Sequence, residues 1–386
     1  MIVLGLISGT SVDAIDMAAA DLAWSGPDIV LRPLGHGETL WPEDTRRRIL
    51  AALPPAPVTM GEVCALDVLI GEAFAAVART AQADFGGDLV ASHGQNLFHW
   101  TQDGRARGTL QLGQPACIAE ATGLPVISDF RARDVAAGGQ GAPLASTLDA
   151  LWLAGAGGPR VALNLGGIAN ITVVGEAGDP VLAYDTGPAS CLLDIEATRI
   201  TGGAMSYDRD GGLARAGQVH ANLLERLLSE PYYAAPAPKS TGRELFDTNY
   251  VAARLEGLPA IADADLMATL TELTARTVAS ACRAHAAREV VASGGGIRNP
   301  ALMDALARRL GAIRLVTSEA RGLPSAAKEA YLFALLGFLT WHGLPGVASG
   351  ATGAQTPRVL GRITPGSAPL RLPAPASPPR ALVIAA

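Results

Sequence analysis

Twice in this chain a run of β-forming residues breaks at a turn of small residues and resumes as a second β-forming run. Residues 2–7 (IVLGLI) are followed by Ser8-Gly9-Thr10-Ser11 and an apolar pattern over 12–22. Residues 161–165 are followed by Gly166-Gly167 and a β-rich run over 168–174. A strand, a short Gly/Ser/Thr turn and a second strand predict a β-hairpin. One such hairpin opens each half of the chain, and helical and strand patterns alternate after it. Helical patterns cover 43–52 and 60–85. Strands at 88–92 and 124–128 then run into His93-Gly94-Gln95 and Asp129-Phe130-Arg131. In the second half a strand ends at Asp185, helices come next over 187–200, 210–228 and 263–287, and a strand at 289–293 leads through Gly294-Gly295-Gly296 to a helix at 300–310. This alternation predicts an α/β fold, and polar residues at strand ends mark where such a sheet gathers a site.

At 386 residues the chain is long for one domain. The Gly-rich break at 154–159 places a boundary between domains of 1–156 and 157–366. The Pro- and Ala-rich stretch 367–386 reads as a loosely held tail. Hydrophobic residues at 49% and charged residues at 17% supply substantial cores, and only 5% aromatics means those cores are built from Ala, Val, Leu and Ile. A net charge of -6 without a Lys/Arg block argues against nucleic acid or an anionic membrane as partner. Cys64, Cys117, Cys191 and Cys282 form no C-x-x-C pair, so four separate thiols in a reducing compartment are expected. The apolar N-terminus lacks a basic leader and meets Asp13 and Asp16 too early for a signal peptide. The apolar run 330–341 is too short to span a bilayer and predicts a buried helix. A soluble, cytoplasmic protein is expected.

No G-x-x-x-x-G-K-[ST] loop occurs. Gly294-Gly-Gly-Ile-Arg-Asn299 approaches G-x-G-x-x-G, but no acidic residue about 20 positions on would hold a ribose, which disfavours a dinucleotide-binding oxidoreductase. Hairpin turns offer another way to hold phosphate. Gly9, Thr10 and Ser11 present backbone N–H groups and hydroxyls at close range, and Asp13 and Asp16 are placed to hold Mg²⁺ directly or through water. Gly166 and Gly167, flanked by Asn164 and Asn170, make a second donor turn, while Gly294, Gly295 and Gly296 leave room for an adenosine group. Singly, the first reads equally as an ordinary polar turn, Gly166-Gly167 reads sooner as a tight hairpin than as a phosphate contact, and Gly294-Gly-Gly296 also reads as a strand-to-helix turn that needs positive φ. Asp185, in Tyr184-Asp-Thr-Gly-Pro188, is either a turn cap or a carboxylate base aimed into a cleft.

The order of these features resembles the sugar kinase/Hsp70/actin superfamily, and within it the sequence looks like an anhydro-N-acetylmuramic acid kinase. The resemblance is carried by residues 5–16 (GLISGTSVDAID), Ser92-His-Gly-Gln95, 109–113 (TLQLG), Asp129-Phe-Arg131 with Asp134, and 136–143 (AAGGQGAP). In the second half it is carried by 164–172 (NLGGIANIT), Asp185-Thr-Gly-Pro188, 238–244 (PKSTGRE), Gly294-Gly-Gly296 with Asn299, and Thr352-Gly-Ala354. These blocks run from residue 5 to about 366. The chain departs from the family where Val12 and Ala14 replace Met and Gly, and where Ala189-Ser190 replaces Gly-Asn.

The resemblance implies two related actin-like ATPase (ribonuclease H-like) domains with an ATP cleft between them, a homodimer, and an enzyme of cell-wall recycling. The implied reaction hydrolytically opens 1,6-anhydro-N-acetylmuramic acid and phosphorylates it with ATP and Mg²⁺. Asp185 matches the catalytic carboxylate. Residues 9–16 (Gly9, Thr10, Ser11, Val12, Asp13, Ala14, Ile15, Asp16) with Asn164, Gly166, Gly167, Gly294, Gly295, Gly296 and Asn299 match the nucleotide-binding positions, with Asp13 toward Mg²⁺. His93, Gln95, Asp129, Arg131 and Glu329 are expected around the sugar, with Arg131 preferred over Arg133 for its lactyl carboxylate. By themselves Asp129, Arg131, Arg133 and Asp134 read as a surface ion-pair cluster. Glu329 reads as a buried-helix acid. A kinase acting on an intact sugar and a non-catalytic sugar-sensing protein of the same fold are the alternatives.

Overall fold

The computed structural model describes residues 1–155 and 157–385, and the chain divides into two compact units. The first comprises Met1–Trp152 with Ala177–Pro180 and the chain from Gly322 onward; the second comprises Leu153–Glu176 and Val181–Arg321.

In the first unit, β1 (Ile2–Ser8), β2 (Ala14–Ser25) and β3 (Asp28–Leu40) form an antiparallel meander. Helices α1 (Glu43–Ala52) and α2 (Met60–Phe85) come next over the predicted spans. Thr59 starts α2 by accepting the Glu62 amide on Oγ1 at 3.1 Å. Beyond them lie β4 (Leu89–Gln102), β5 (Arg105–Leu112), α3 (Pro115–Thr122), β6 (Val126–Ser128), α4 (Ala132–Ala136) and α5 (Ala145–Leu153). β1 pairs in parallel with β4, and β4 with β6, so the sheet runs β6-β4-β1-β2-β3.

The second unit repeats that order. β7 (Arg160–Leu165), β8 (Ile168–Val174) and β9 (Leu182–Pro188) form the meander, and β10 (Glu289–Ser293) and β11 (Arg314–Thr317) extend it in parallel, giving β11-β10-β7-β8-β9. Between β9 and β10 lie α6 (Ser190–Ile200), α7 (Gly212–Arg215), α8 (Ala221–Leu228), α9 (Pro231–Ala234), α10 (Thr248–Leu255) and α11 (Asp263–Ala284); α12 (Pro300–Leu310) joins β10 to β11. Each unit is thus a mixed sheet of one topology covered by helices, the pair of related ribonuclease H-like domains expected.

The C-terminal assignment differs from the expectation that the second domain runs to residue 366. From Gly322 the chain belongs to the first unit. Helix α13 (Lys328–Trp341) is the predicted apolar helix, and it lies so close on β1 that a Cβ at Gly5 would collide with the Ala330 carbonyl oxygen. Strand β12 (Arg362–Thr364) pairs with β6. The stretch read as a loosely held tail ends in β13 (Leu382–Ile384), paired in parallel with β3. Residue 386, and residue 156 at the expected boundary, lie outside the described residues. The predicted helix 210–228 is two helices, α7 and α8. The break falls at Gly217, where the backbone passes too close to Ala264 for any side chain. The four cysteines are free thiols. Among the described residues no helix is long and apolar enough to cross a membrane.

Candidate active site

The first unit's hairpin turn is Gly9–Asp13. The Val12 amide donates to the Gly9 carbonyl at 3.2 Å. Thr10, Ser11 and Asp13 are exposed, whereas Val12, Ala14 and Ile15 are buried, so these three offer a ligand only their backbone. Val12 has φ +56°, a left-handed conformation that is costly for a β-branched residue. Arg46 of α1 braces it, donating from Nε to the Val12 carbonyl at 2.7 Å and from Nη2 to Asp13 Oδ1 at 3.2 Å. Gln95 reaches the same turn, donating from Nε2 to the Gly9 carbonyl at 3.2 Å, while its buried Oε1 has no hydrogen-bond partner. Asp16 stands opposite Glu38 across β2 and β3. Burial, Glu38 and then Glu329 raise its pKa to about 6.

His93 and Gln95 do not sit at a strand end as predicted. β4 continues through them, its partner changing from β1 to β5, with Gly94 at φ +71° where the strand turns. His93 is buried, and one tautomer satisfies both ring nitrogens. Nδ1–H donates to the Gly94 carbonyl at 3.0 Å, and Nε2 accepts from Arg131 Nε at 2.9 Å. Burial, then Arg131, holds its pKa down to about 3, so the imidazole stays neutral. Arg131 Nη1 donates to the Gly141 carbonyl at 2.7 Å, and Nη2 has no hydrogen bond among the described residues.

The supposed ion-pair cluster does not form. Asp129, at φ +57°, pairs with Arg362 at 2.7 Å. Asp134 is buried and accepts the Gly141 amide at 2.7 Å and the Thr352 hydroxyl at 2.8 Å, tying together two family-like segments far apart in sequence. Arg133 is exposed. Glu329, expected to be buried, is exposed in the first turn of α13. It lies near enough to Asp16 and Arg131 for its charge to raise the proton affinity of both.

In the second unit, paired positions run across four strands: Ser293 with Asn164, Asn164 with Asn170, and Asn170 with Asp185. Residues directly opposite share a sheet face, so β10, β7, β8 and β9 present one polar row ending in Asp185. The strand does not stop there. Thr186, Gly187 and Pro188, read as a turn, continue β9 to Pro188, with a register shift beside Asn170. What fixes Asp185 is a segment that sequence reasoning left without a role. Thr241 donates its amide to Asp185 Oδ2 at 2.9 Å, the Asp185 amide donates to the Lys239 carbonyl at 3.1 Å, and the Tyr232 hydroxyl donates to the Asp185 carbonyl at 2.8 Å. Among the described residues, Oδ1 receives no hydrogen bond. Burial raises the carboxyl's pKa against the lowering effect of the Thr241 amide.

The Gly166-Gly167 turn is anchored on the start of α6. The Ala189 and Cys191 amides donate to the Gly167 carbonyl at 2.9 and 3.1 Å, and the Ser190 amide donates to the Gly166 carbonyl at 3.0 Å. These are backbone bonds, so the departures at Ala189 and Ser190 preserve them, and the Ala189 side chain packs into the core. At the end of β10, Gly294 has φ +87° and approaches Leu165 so closely that a Cβ would lie 2.8 Å from its carbonyl oxygen. Gly295 and Gly296 open a short 3₁₀ turn over Gly295–Arg298. Asn299 then caps α12, accepting the Leu302 amide on Oδ1 at 3.1 Å, which leaves its amide nitrogen for a ligand. Among the described residues, no three His, Cys, Asp or Glu side chains gather as a metal-binding group.

A family model described as anhydro-N-acetylmuramic acid kinase matches residues 1–366. The chain is 58% identical over 376 residues to an anhydro-N-acetylmuramic acid kinase of Streptomyces avermitilis, covering 97% of each chain. It is 55% identical over 386 residues to that of Streptomyces coelicolor, covering 99% of this chain and 98% of the relative. The counterpart from Rhodococcus erythropolis is 53% identical over 376 residues, 95% of each chain.

Proposed function

The chain belongs to the anhydro-N-acetylmuramic acid kinase family, and from that premise we propose that it couples two bond changes on one sugar. Water adds at the anomeric carbon of 1,6-anhydro-N-acetylmuramic acid as the bond from that carbon to O6 breaks. O6 then takes the γ-phosphoryl group of ATP, giving N-acetylmuramic acid 6-phosphate and ADP.

The observation that carries this reading is the setting of Asp185. One carboxylate oxygen is fixed by the Thr241 amide and the other receives no hydrogen bond among the described residues, while the backbone is held on both sides. A carboxylate so oriented positions an attacking water, and burial raises its affinity for the proton it removes. As the C1–O6 bond breaks, negative charge collects on O6, which attacks the γ-phosphorus in line while the bond to the leaving ADP oxygen breaks. The exposed Thr10 and Ser11 and the Gly166-Gly167 turn supply donors to the phosphates. Gly294, Gly295, Gly296 and Asn299 hold the adenosine side. Arg131 binds the lactyl carboxylate through Nη2, and Gln95, Asp129 and Glu329 contact the sugar.

Mg²⁺ enters as part of the nucleotide substrate. Asp13 is a single exposed carboxylate already paired with Arg46, which fits a water-mediated contact to an ion carried by phosphates and not an all-protein cage.

The test is a coupled ADP-release assay with the anhydro sugar in ¹⁸O-labelled water, with the product read by mass spectrometry immediately after quenching. Label at the anomeric oxygen is expected. ADP release without label would mean that Asp185 deprotonates a hydroxyl of an intact sugar. Sugar binding without ADP release would leave a sensing protein.

A further inference from the structure

We propose that Arg243 is a phosphate-contacting residue of the second glycine turn, binding the terminal phosphates of the nucleotide. The inference rests on the kinase reading above and extends it to a residue with no role there.

Arg243 lies in the same short segment that holds Asp185. At one end of that segment Lys239 and Thr241 bond to Asp185. Lys239 is itself pinned, its Nζ donating to the Tyr232 and Tyr233 carbonyls at 2.8 and 2.9 Å above the Tyr232 ring. At the other end the Arg243 guanidinium lies over Gly167, where a Cβ would stand 3.4 Å from Nη2 and 3.6 Å from Nε. The guanidinium thus rests in van der Waals contact with the turn at Gly167. One segment therefore bridges the proposed base and the proposed phosphate turn, and it sets a cation on the latter.

That cation is not used structurally. Arg243 is exposed and has no hydrogen bond or ion pair among the described residues. Arg254 of α10, by contrast, is bound to Glu230 and stacked on Tyr250. The Arg243 charge is felt by Asp194, which already accepts a hydrogen bond from Ser190. The turn's carbonyls are occupied by the first amides of α6, so they face away from an incoming anion. A planar fork of N–H donors over such a turn matches phosphate oxygens and opposes the charge that spreads over them during transfer.

Calorimetric titration of the wild-type protein and Arg243→Gln with Mg²⁺-ATP and with AMP tests this. ATP affinity is expected to fall roughly 10- to 100-fold, the size of a lost charge-assisted contact. AMP affinity should stay within about 2-fold, which also shows that the variant is folded, and Arg243→Lys should recover part of the loss. An unchanged ATP-to-AMP ratio in Arg243→Gln overturns the inference and leaves the kinase reading standing. A wild-type protein that binds neither nucleotide overturns both. A loss of anhydro-sugar affinity with ATP affinity intact would also overturn it, by placing Arg243 on the sugar.

Discussion

The amide of Thr241 donates to Asp185 Oδ2 at 2.9 Å across 56 residues of sequence. The bond uses backbone on one side, so replacing the carboxylate with a carboxamide keeps an acceptor for it. Asp185→Asn is therefore expected to fold with thermal stability no lower than wild type and to bind the anhydro sugar. ADP release should fall by about 10²–10⁴-fold, the usual contribution of a positioned base. Steady-state ADP release beside a melting curve checks this. Substantial turnover in a folded Asp185→Asn would remove Asp185 from its proposed role. Because burial raises this carboxyl's pKa, kcat/KM of the wild type should rise with pH along an acid limb lying above the ordinary carboxylate value of about 4.

Arg131 is held through two of its three nitrogens, by His93 and by the Gly141 carbonyl. The neutral His93 can accept only because its other nitrogen donates. Arg131→Gln is expected to raise KM for the anhydro sugar by roughly 10- to 100-fold through loss of the carboxylate contact, with KM for ATP unchanged. An analogue whose lactyl carboxyl is amidated should bind the wild type and the variant alike. His93→Phe, which removes the acceptor but not the charge, should act in the same direction and more weakly. Equal losses for the acid and the amide would show that Arg131 serves the fold and not the ligand.

Asp16, Glu38 and Glu329 crowd one region of the first unit, and Asp16 carries the cost. Its folded pKa is about 6 against 3.8 in the absence of that environment. Between those values the folded state holds a proton that the unfolded chain releases. Stability present below the lower value is thus lost as pH rises, and the loss is complete above about pH 6. Asp16→Asn removes the titration. In urea unfolding the variant should gain on the order of 1 kcal/mol over wild type at about pH 8, less than the full shift implies because the site is partly solvated. The gain should shrink toward about pH 4. A difference independent of pH would mean that Asp16 does not bear the repulsion.

The two hairpins were legible because small-residue turns between β-forming runs leave few alternatives, and both units are built on them. Helices over 43–52, 60–85 and 300–310 were legible to the residue, and Thr59 and Asn299 cap the last two. The illegible parts are those fixed by distant partners. β3 contains Pro33, Gly35 and Gly37 and has no clean alternation, so pairing with β2 and β13, not its own pattern, makes it a strand. Thr186-Gly187-Pro188 has turn composition, yet pairing with β8 keeps it extended. Asp129 finds Arg362 and Asp134 finds Thr352 across more than half the chain. Pattern reading treated those carboxylates as neighbours because they are neighbours in sequence. Thr241 carried no local signal either, since its contribution to the site is a backbone amide.

Gly5 lies in the middle of β1, where glycine weakens a strand, and no turn explains it. The reason lies near the other end of the chain. A Cβ there would collide with the Ala330 carbonyl oxygen and come within 2.7 Å of the Ala334 amide nitrogen, both backbone atoms of the buried helix α13. Backbone cannot rotate aside as a side chain can, so Gly5→Ala forces the helix off the sheet. It should destabilise the protein by about 3 kcal/mol or more in urea unfolding, at the upper end for overpacking. Gly9→Ala is the matched control. The nearest atom to its added Cβ is Ser11 Oγ at 4.0 Å, so stability should change by less than about 1 kcal/mol, typical of an uncrowded surface position. Equal midpoints for Gly5→Ala and wild type would mean that α13 does not rest on β1 at this distance.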